Sequence, residues 1–282
     1  MTRKFGDWIV FSNLFIAACA VVMVLQTDQM FLKTSSNLYY LGFVFFASIC
    51  SYNFHWWLTP HSVIRSPRID WAMRYRYVHL ILFIAGLAGA AYFFFFLLPY
   101  WPGLMATAIA TFLYSAPKIP HPLFRSLRKV ALGKTIFLSF VWMNVTTILP
   151  LWISGVEWRT DMWLFIVSRY FMIYAVCILF DYRDREDDKK EGVRSLVTYL
   201  GPRSIFFLFL FSVIVYSVTS LLLLNYDYPF YLVVILLLPA ILLIALYRYA
   251  TKHFSDFFYY VVLDGMMALP SVITLALQPF ML

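Results

Sequence analysis

Apolar residues along this chain come in long unbroken blocks, at about 8–26, 38–58, 77–98, 101–115, 131–153, 162–180, 204–224, 229–249 and 257–277. A membrane barrel strand needs an alternating polar and apolar beat, which these blocks lack. Runs of roughly 20 residues match the hydrocarbon thickness of a bilayer, and in lipid the backbone groups of such a run must be satisfied within the segment itself. The pattern predicts nine transmembrane helices, the fourth of them short, forming one all-α domain over residues 1–282. The opening Met-Thr-Arg-Lys-Phe-Gly-Asp leads straight into the first block, which is too long and aromatic for a cleaved signal peptide and reads as a membrane helix.

The polar stretches between the blocks are asymmetric in charge. Arg3 and Lys4 precede the first helix. The loops after helices two, four, six and eight carry Arg65, Arg68, Arg74 and Arg76, then Lys118, Arg125, Arg128 and Lys129, then Arg183, Arg185, Lys189, Lys190, Arg194 and Arg203, then Arg248 and Lys252. The opposite loops hold only Lys33 and Arg159. The bias puts the N-terminus and the charged loops in the cytoplasm and the C-terminus outside, in what reads as a bacterial plasma membrane. Composition agrees with a membrane protein: 63% hydrophobic, 21% aromatic and only 13% charged. The net charge of +8 is accounted for by loop cations facing anionic lipid. No basic face is long enough to track a duplex, so nucleic acid is excluded as a partner. Cys19, Cys50 and Cys177 all lie in apolar runs without a CxxC pair, against a disulfide framework or a zinc site.

The most charged stretch follows the sixth block: Asp181-Tyr-Arg-Asp184-Arg-Glu-Asp-Asp188-Lys-Lys190-Glu-Gly192-Val-Arg194-Ser195. As a helix continuing out of that block, it places Asp181, Asp184 and Asp188 at i, i+3 and i+7, three carboxylates on one face. Mg2+ takes one or two carboxylates together with waters and the oxygens of a phosphate, so the face is a candidate holder of a metal and a diphosphate. Lys189, Lys190 and Arg194 are placed to meet phosphate oxygens. The plainer alternative is a solvated helix end laced by i, i+4 pairs, Arg183 with Asp187 and Glu186 with Lys190.

The string from Asp184 through Ser195, followed by Leu200-Gly201, resembles the second aspartate-rich motif of the UbiA superfamily of intramembrane prenyltransferases. The resemblance implies a Mg2+ gripping an isoprenyl diphosphate, with Asp181, Asp184 and Asp188 as metal ligands, Asp184 and Asp188 as catalytic carboxylates, and Lys190 and Arg194 on the substrate. The layout of nine helices with loaded loops after the second and the sixth is similar to that family, and the equivalence of those two loops suggests an internal duplication. Tyr114-Ser-Ala-Pro117-Lys118 and Asn144-Val-Thr146-Thr147 also resemble it, and Lys134, opening helix five, matches a lysine that approaches the diphosphate. A positive-inside anchor is the other reading of Lys134.

The loop after helix two departs from the family's pattern, Asn-Asp-x-x-Asp-x-x-x-Asp. This chain reads Asn53-Phe54-His-Trp-Trp57-Leu-Thr-Pro-His61, with the asparagine kept and the three aspartates replaced by Phe54, Trp57 and His61. A ring or an indole offers no hard oxygen to Mg2+, so a two-metal arrangement is not expected. Three readings stay open. His55, His61, Arg65 and Arg68, beside Asn53, neutralise the diphosphate directly; or diphosphate chemistry is lost and the fold kept; or the pocket takes another anionic or lipid ligand. An interfacial belt of Trp56, Trp57 and the histidines is the structural alternative.

Two classes of function follow. The first is an integral membrane prenyltransferase moving an isoprenyl group from its diphosphate to an aromatic or other lipophilic acceptor. The second is a non-catalytic membrane subunit or lipid-binding scaffold with protein partners in a larger complex. A transporter is disfavoured because no matched pair of Gly/Pro-broken spans appears in two halves. Within the spans, Asn13, Asn144, Arg169 and Asp264 are costly to bury; Arg169 needs a partner, expected to be Asp264, and Asn13 suits a helix-to-helix hydrogen bond.

Overall fold

The computed structural model describes residues 2–32, 35–59, 66–119, 121, 134–190 and 195–277. Among the described residues all regular structure is helical. In chain order the helices are α1 (Thr2–Phe11), α2 (Leu14–Phe31), α3 (Leu38–Trp57), α4 (Pro67–Arg74), α5 (Arg76–Phe95) and α6 (Trp101–Ser115). There follow α7 (Lys134–Met143) and α8 (Leu149–Ser154), joined by a π turn at Asn144–Ile148, and then α9 (Thr160–Lys190), α10 (Leu196–Tyr199), α11 (Pro202–Leu221) and α12 (Phe230–Ala250). A second π turn, Phe258–Leu263, leads into α13 (Asp264–Leu277).

The nine apolar blocks fall on helices, the first of them divided between α1 and α2, and seven helical stretches among the described residues are long and apolar enough to cross a membrane. The protein is an integral membrane protein of the all-α class. The two that fall short are α3, which carries Ser48, Ser51, Asn53 and His55, and α6, whose 15 residues span only about 22 Å at 1.5 Å per residue. Packing contacts run in a ring from α2 to α3, α6, α7, α9, α11, α12 and α13 and back to α2, with α5 laid on the outside of α3. α9 is the hub: 67% of its apolar window is buried, against 17% for α5. α5 approaches α3 through Gly86, where an added Cβ would sit 2.5 Å from the backbone nitrogen of Cys50.

The first block breaks earlier than its hydropathy suggests. Asn13 adopts a left-handed conformation (φ 68°), ending α1 and restarting the chain as α2, which then continues to Phe31 through buried Gln26, Thr27 and Asp28. Asparagine enters this region more readily than most residues, and here its side-chain oxygen is held from α4 by Arg68 rather than by a local bond. The sixth block, in contrast, is extended: α9 continues through the aspartate motif to Lys190 without interruption.

Helix defects inside the bundle are repaired by side chains. Pro150 has no N–H to offer the carbonyl of Thr146, and the chain widens there into the first π turn. The Thr27 hydroxyl donates to the Thr146 carbonyl instead (2.6 Å), and the Tyr40 hydroxyl donates to that of Val145 (2.6 Å). Around the kinking Pro239 of α12, the Tyr216 hydroxyl donates to the carbonyl of Leu236.

Arg169, expected to pair with Asp264, does not. Its guanidinium donates to the Gln26 side chain (2.7 Å) and the Met23 carbonyl (3.3 Å) and lies over the Phe165 ring, while Ser271 donates to the same Gln26 oxygen (2.8 Å). Asp264 begins α13 nearer the charged end, within reach of the fields of Arg68 and Arg183. A neutral amide thus meets the buried cation and spares the desolvation of a second charge.

Thr27→Val should lower stability by about 1–3 kcal/mol, since it orphans a buried carbonyl while keeping the side chain's shape. Reversible unfolding in mixed detergent would measure this, and a loss below about 0.5 kcal/mol would show that the carbonyl has another partner. Gly86→Ala should part α3 from α5 at a cost of about 1–3 kcal/mol, whereas Gly201→Ala, with open space around it, should stay within about 0.5 kcal/mol.

Candidate functional site

The charged end of α9 is built from adjacent residues of one helix. The Arg183 Nε donates to Asp184 Oδ1 (2.7 Å) and its Nη2 to Asp184 Oδ2 (3.3 Å), so both carboxylate oxygens meet the guanidinium. The same Nη2 donates to the Tyr260 hydroxyl (3.1 Å), which ties α9 to the second π turn. Arg183 also lies 5.1, 4.6 and 5.0 Å from the ring centres of Phe180, Tyr259 and Tyr260. Asp181 is buried and accepts a hydrogen bond from the Thr135 hydroxyl of α7. Asp188 is buried one turn beyond Asp184, while the Asp184 side chain keeps 40% of its surface exposed and is reachable from solvent. Lys190 is exposed in the last turn, where a cation also complements the helix dipole. The i, i+4 pairs expected along this stretch are replaced: Arg183 takes Asp184, and Glu186 takes Lys189 (3.0 Å).

A second cation faces this end from α4. Arg68, only 1% exposed, donates through Nη2 to Asn13 Oδ1 (2.7 Å) and through Nη1 to the Val10 carbonyl (3.4 Å). Its backbone N–H donates to Asp256 Oδ2 (2.7 Å), and its guanidinium sits 4.2 Å from the Trp56 ring centre, 5.0 Å from Phe11 and 5.4 Å from Tyr260. Ser66 caps this short helix from N-cap, with Pro67 at its first position. Burial pulls Arg68 down to about 10, with Tyr260, Asp256 and Asp264 working against the fall, so it remains cationic at neutral pH. Tyr260 touches both Arg68 and Arg183, which puts the two guanidinia at one locus.

Asn53, which matches the asparagine of the resembled motif, is engaged within the fold. Its Nδ2 donates to the carbonyls of Ser12 (3.1 Å) and Ile49 (2.8 Å), and its Oδ1 is 2.6 Å from His79 Nδ1. Of the positions that carry aspartate in the resembled motif, the two described are packed: Phe54 lies against Trp57, Phe83 and Phe112 at ring distances of 6.4, 5.2 and 6.3 Å. His55 sits 3.2 Å from Ser115 Oγ and stacks on Tyr114. His61, Arg65 and Arg194 lie outside the described residues, as does the side chain of Lys134, which opens α7.

The three aspartates do not converge. Among the described residues no three His, Cys, Asp or Glu side chains form a group fit for a metal. Asp181 and Asp188 are seven residues apart on one helix, about 10 Å along its axis, too far to share one ion at Mg2+ bond lengths of about 2 Å. The donor chemistry suits Mg2+ in a smaller set, one or two carboxylates from Asp184 and Asp188, with water and phosphate oxygens completing the shell. Arg183, Asp256, Tyr260 and Asn13 belong to this end and were not foreseen as site residues. Arg183 stood inside the motif string; the tyrosine carries no local signal that separates it from the other aromatics.

A model of the UbiA prenyltransferase family matches residues 59–256, which span the site from Arg68 through Asp184 to Asp256 and begin just after the Asn53–Trp57 segment. Searches of curated proteins and of solved structures found no match. The match covers well over half of the chain, and the protein belongs to the UbiA prenyltransferase family.

Proposed function

We propose that the protein transfers an isoprenyl group from an isoprenyl diphosphate to an aromatic or other lipophilic acceptor, with Mg2+ and with one functioning aspartate motif rather than two. The observation that carries this reading is the exposed Asp184 carboxylate beside buried Asp188 at the end of α9, with Lys190 exposed two residues after Asp188 and the guanidinia of Arg183 and Arg68 nearby. Mg2+, when bound, neutralises diphosphate charge and eases its departure. Asp184 and Asp188 would hold it, while Lys190 and Arg194 take non-bridging oxygens as charge-assisted donors. Lys134, at the start of α7, would approach the leaving group from the side of Asp181.

Arg183 positions Asp184 through two hydrogen bonds and is itself fixed by three rings, so the carboxylate is oriented before substrate arrives. His61, Arg65 and Arg68 would supply positive charge where the first motif has lost its carboxylates. The surrounding aromatic side chains exclude water and present ring faces to positive charge developing on the allylic carbon. The lysine and arginine bias places this end in the cytoplasm, where soluble isoprenyl diphosphates and Mg2+ meet it, with the C-terminus outside a bacterial plasma membrane. One domain over 1–282 accommodates the site.

One observation favours a second reading, a non-catalytic membrane subunit or scaffold with protein partners. Asn53 has both ends of its amide hydrogen-bonded within the protein, and the neighbouring aspartate positions are occupied by packed rings.

Farnesyl and geranylgeranyl diphosphate should bind the detergent-purified protein only with Mg2+, and Asp184→Asn/Asp188→Asn should weaken binding at least about 100-fold, the scale of two lost charge-assisted contacts. Isothermal titration would measure it; affinity indifferent to both Mg2+ and the double substitution would favour the scaffold. Arg68→Lys keeps the charge but not the fork or the stacking, and should cost about 1–3 kcal/mol of stability by thermal melting while leaving the Mg2+ requirement in place.

A further inference from the structure

The end of the bundle away from the aspartates holds a second polar feature that prenyl transfer does not use. Phe31, closing α2, packs on Phe165 (5.3 Å) and Tyr228 (6.2 Å), and Tyr228 donates to Asp161 (2.9 Å) in the first turn of α9. Asp161 and Asp184 are 23 residues apart on that helix, about 35 Å at 1.5 Å per residue, so α2 ends on the far face of the membrane from the motif.

A cavity of about 420 Å3 opens there between the end of α2, the start of α3 and the end of α8. Its walls include Asp28, Ser36, Tyr39, Tyr40, Pro150 and Ser154. Asp28 is 4% exposed, and its Oδ1 has no hydrogen-bond partner; the Ser36 hydroxyl bonds the carboxylate. The lining contains no lysine, arginine or histidine among the described residues. Such an oxygen, withdrawn from water in the wall of a cavity, is costly unless something donates to it. The other polar groups nearby are already committed: Asn37 Oδ1 caps α3 by accepting from Tyr39 and Tyr40 N–H (3.0 and 3.1 Å), the Tyr40 hydroxyl donates to Val145, and the Ser154 hydroxyl donates to Leu151 (2.7 Å).

We propose that this cavity binds a primary ammonium group, with Asp28 as its counter-charge. An ammonium brings three donors and a positive charge: one donor satisfies Asp28 Oδ1, and the hydroxyl oxygens of Ser36 and Ser154 retain lone pairs for the others. Tyr39 and Tyr40 add ring faces of the kind that attract cations. An anion would be repelled by the carboxylate, and an apolar guest would leave it orphaned. The volume suits a head group or a small amine. The ammonium can belong to an ethanolamine phospholipid of the far leaflet or to a soluble amine; the chemistry recognised is the same.

The test is native mass spectrometry of delipidated protein offered phosphatidylethanolamine and phosphatidylglycerol with identical acyl chains. Wild type should retain the ethanolamine lipid about tenfold better, the scale of one charge-assisted contact. Asp28→Asn removes the charge, and should abolish the preference while leaving the melting temperature unchanged or higher, since an unmatched buried carboxylate is lost. Ile153→Trp, which fills the cavity from the opposite wall and leaves Asp28 intact, should abolish it too. Displacement of the lipid by millimolar free ethanolamine assigns the site to a soluble amine, and failure to displace it assigns it to the lipid. Equal retention of the two lipids by wild type with no effect of ethanolamine on melting overturns the proposal, as does a preference that survives both substitutions. None of these readouts depends on diphosphate binding at the other end.

Discussion

The guanidinium of Arg183 is the contact on which the charged end of the bundle rests. It meets both oxygens of Asp184, donates to Tyr260 across the interface with the last helix, and is held by three aromatic rings. An aspartate adjacent in sequence to an arginine need not pair with it; here the rings fix the cation and leave the carboxylate to follow. Asp184 and Asp188 are i, i+4 neighbours of like charge, and the helix tolerates them because cations lie on both sides: Arg183 and Arg68 behind, Lys189 and Lys190 in the last turn. The electrostatics that suit a multiply charged anion are therefore present before any ligand arrives.

The segment from Asn53 to Trp57 is held by packing and hydrogen bonds within the fold. Phe54 packs on α5 through Phe83, on α6 through Phe112 and on neighbouring Trp57, and both residues are half-buried. Asn53 was redirected to the junction of α1 and α2, where it bonds the carbonyl of Ser12 beside the left-handed Asn13. Asn13 in turn receives Arg68. The result is one continuous polar lock from the first helix to the fourth, in which Asn13 Nδ2 and Arg68 Nε are buried without a hydrogen-bond partner.

Much of this was legible in the sequence, and for identifiable reasons. Helix positions follow from apolar run length, because lipid forbids any other way of satisfying the backbone; the extension of α9 through Asp181–Lys190 follows from an unbroken helical spacing of its carboxylates. Partner choice was less legible. Arg169 looked for an acid and found Gln26, since a buried amide costs less desolvation than a second charge, and nothing in the local string distinguishes Gln26 from other polar residues of α2. The break at Asn13 and the first π turn receive contacts from Arg68, Thr27 and Tyr40 on other helices, and hydropathy carries no trace of them. Convergence of the three aspartates failed on simple geometry: a shared face is not a shared point when the residues are two turns apart.

In the proposed reaction a single ion, held by Asp184 and Asp188 together with a diphosphate, does what two aspartate motifs would otherwise share. Counting Mn2+ bound in place of Mg2+ in the presence of a non-hydrolysable farnesyl thiodiphosphate, by electron paramagnetic resonance with phosphorus hyperfine detection, tests it most directly. One ion per chain, coupled to phosphorus and lost in Asp188→Asn, is the predicted result. Two coupled ions, or none, would contradict it.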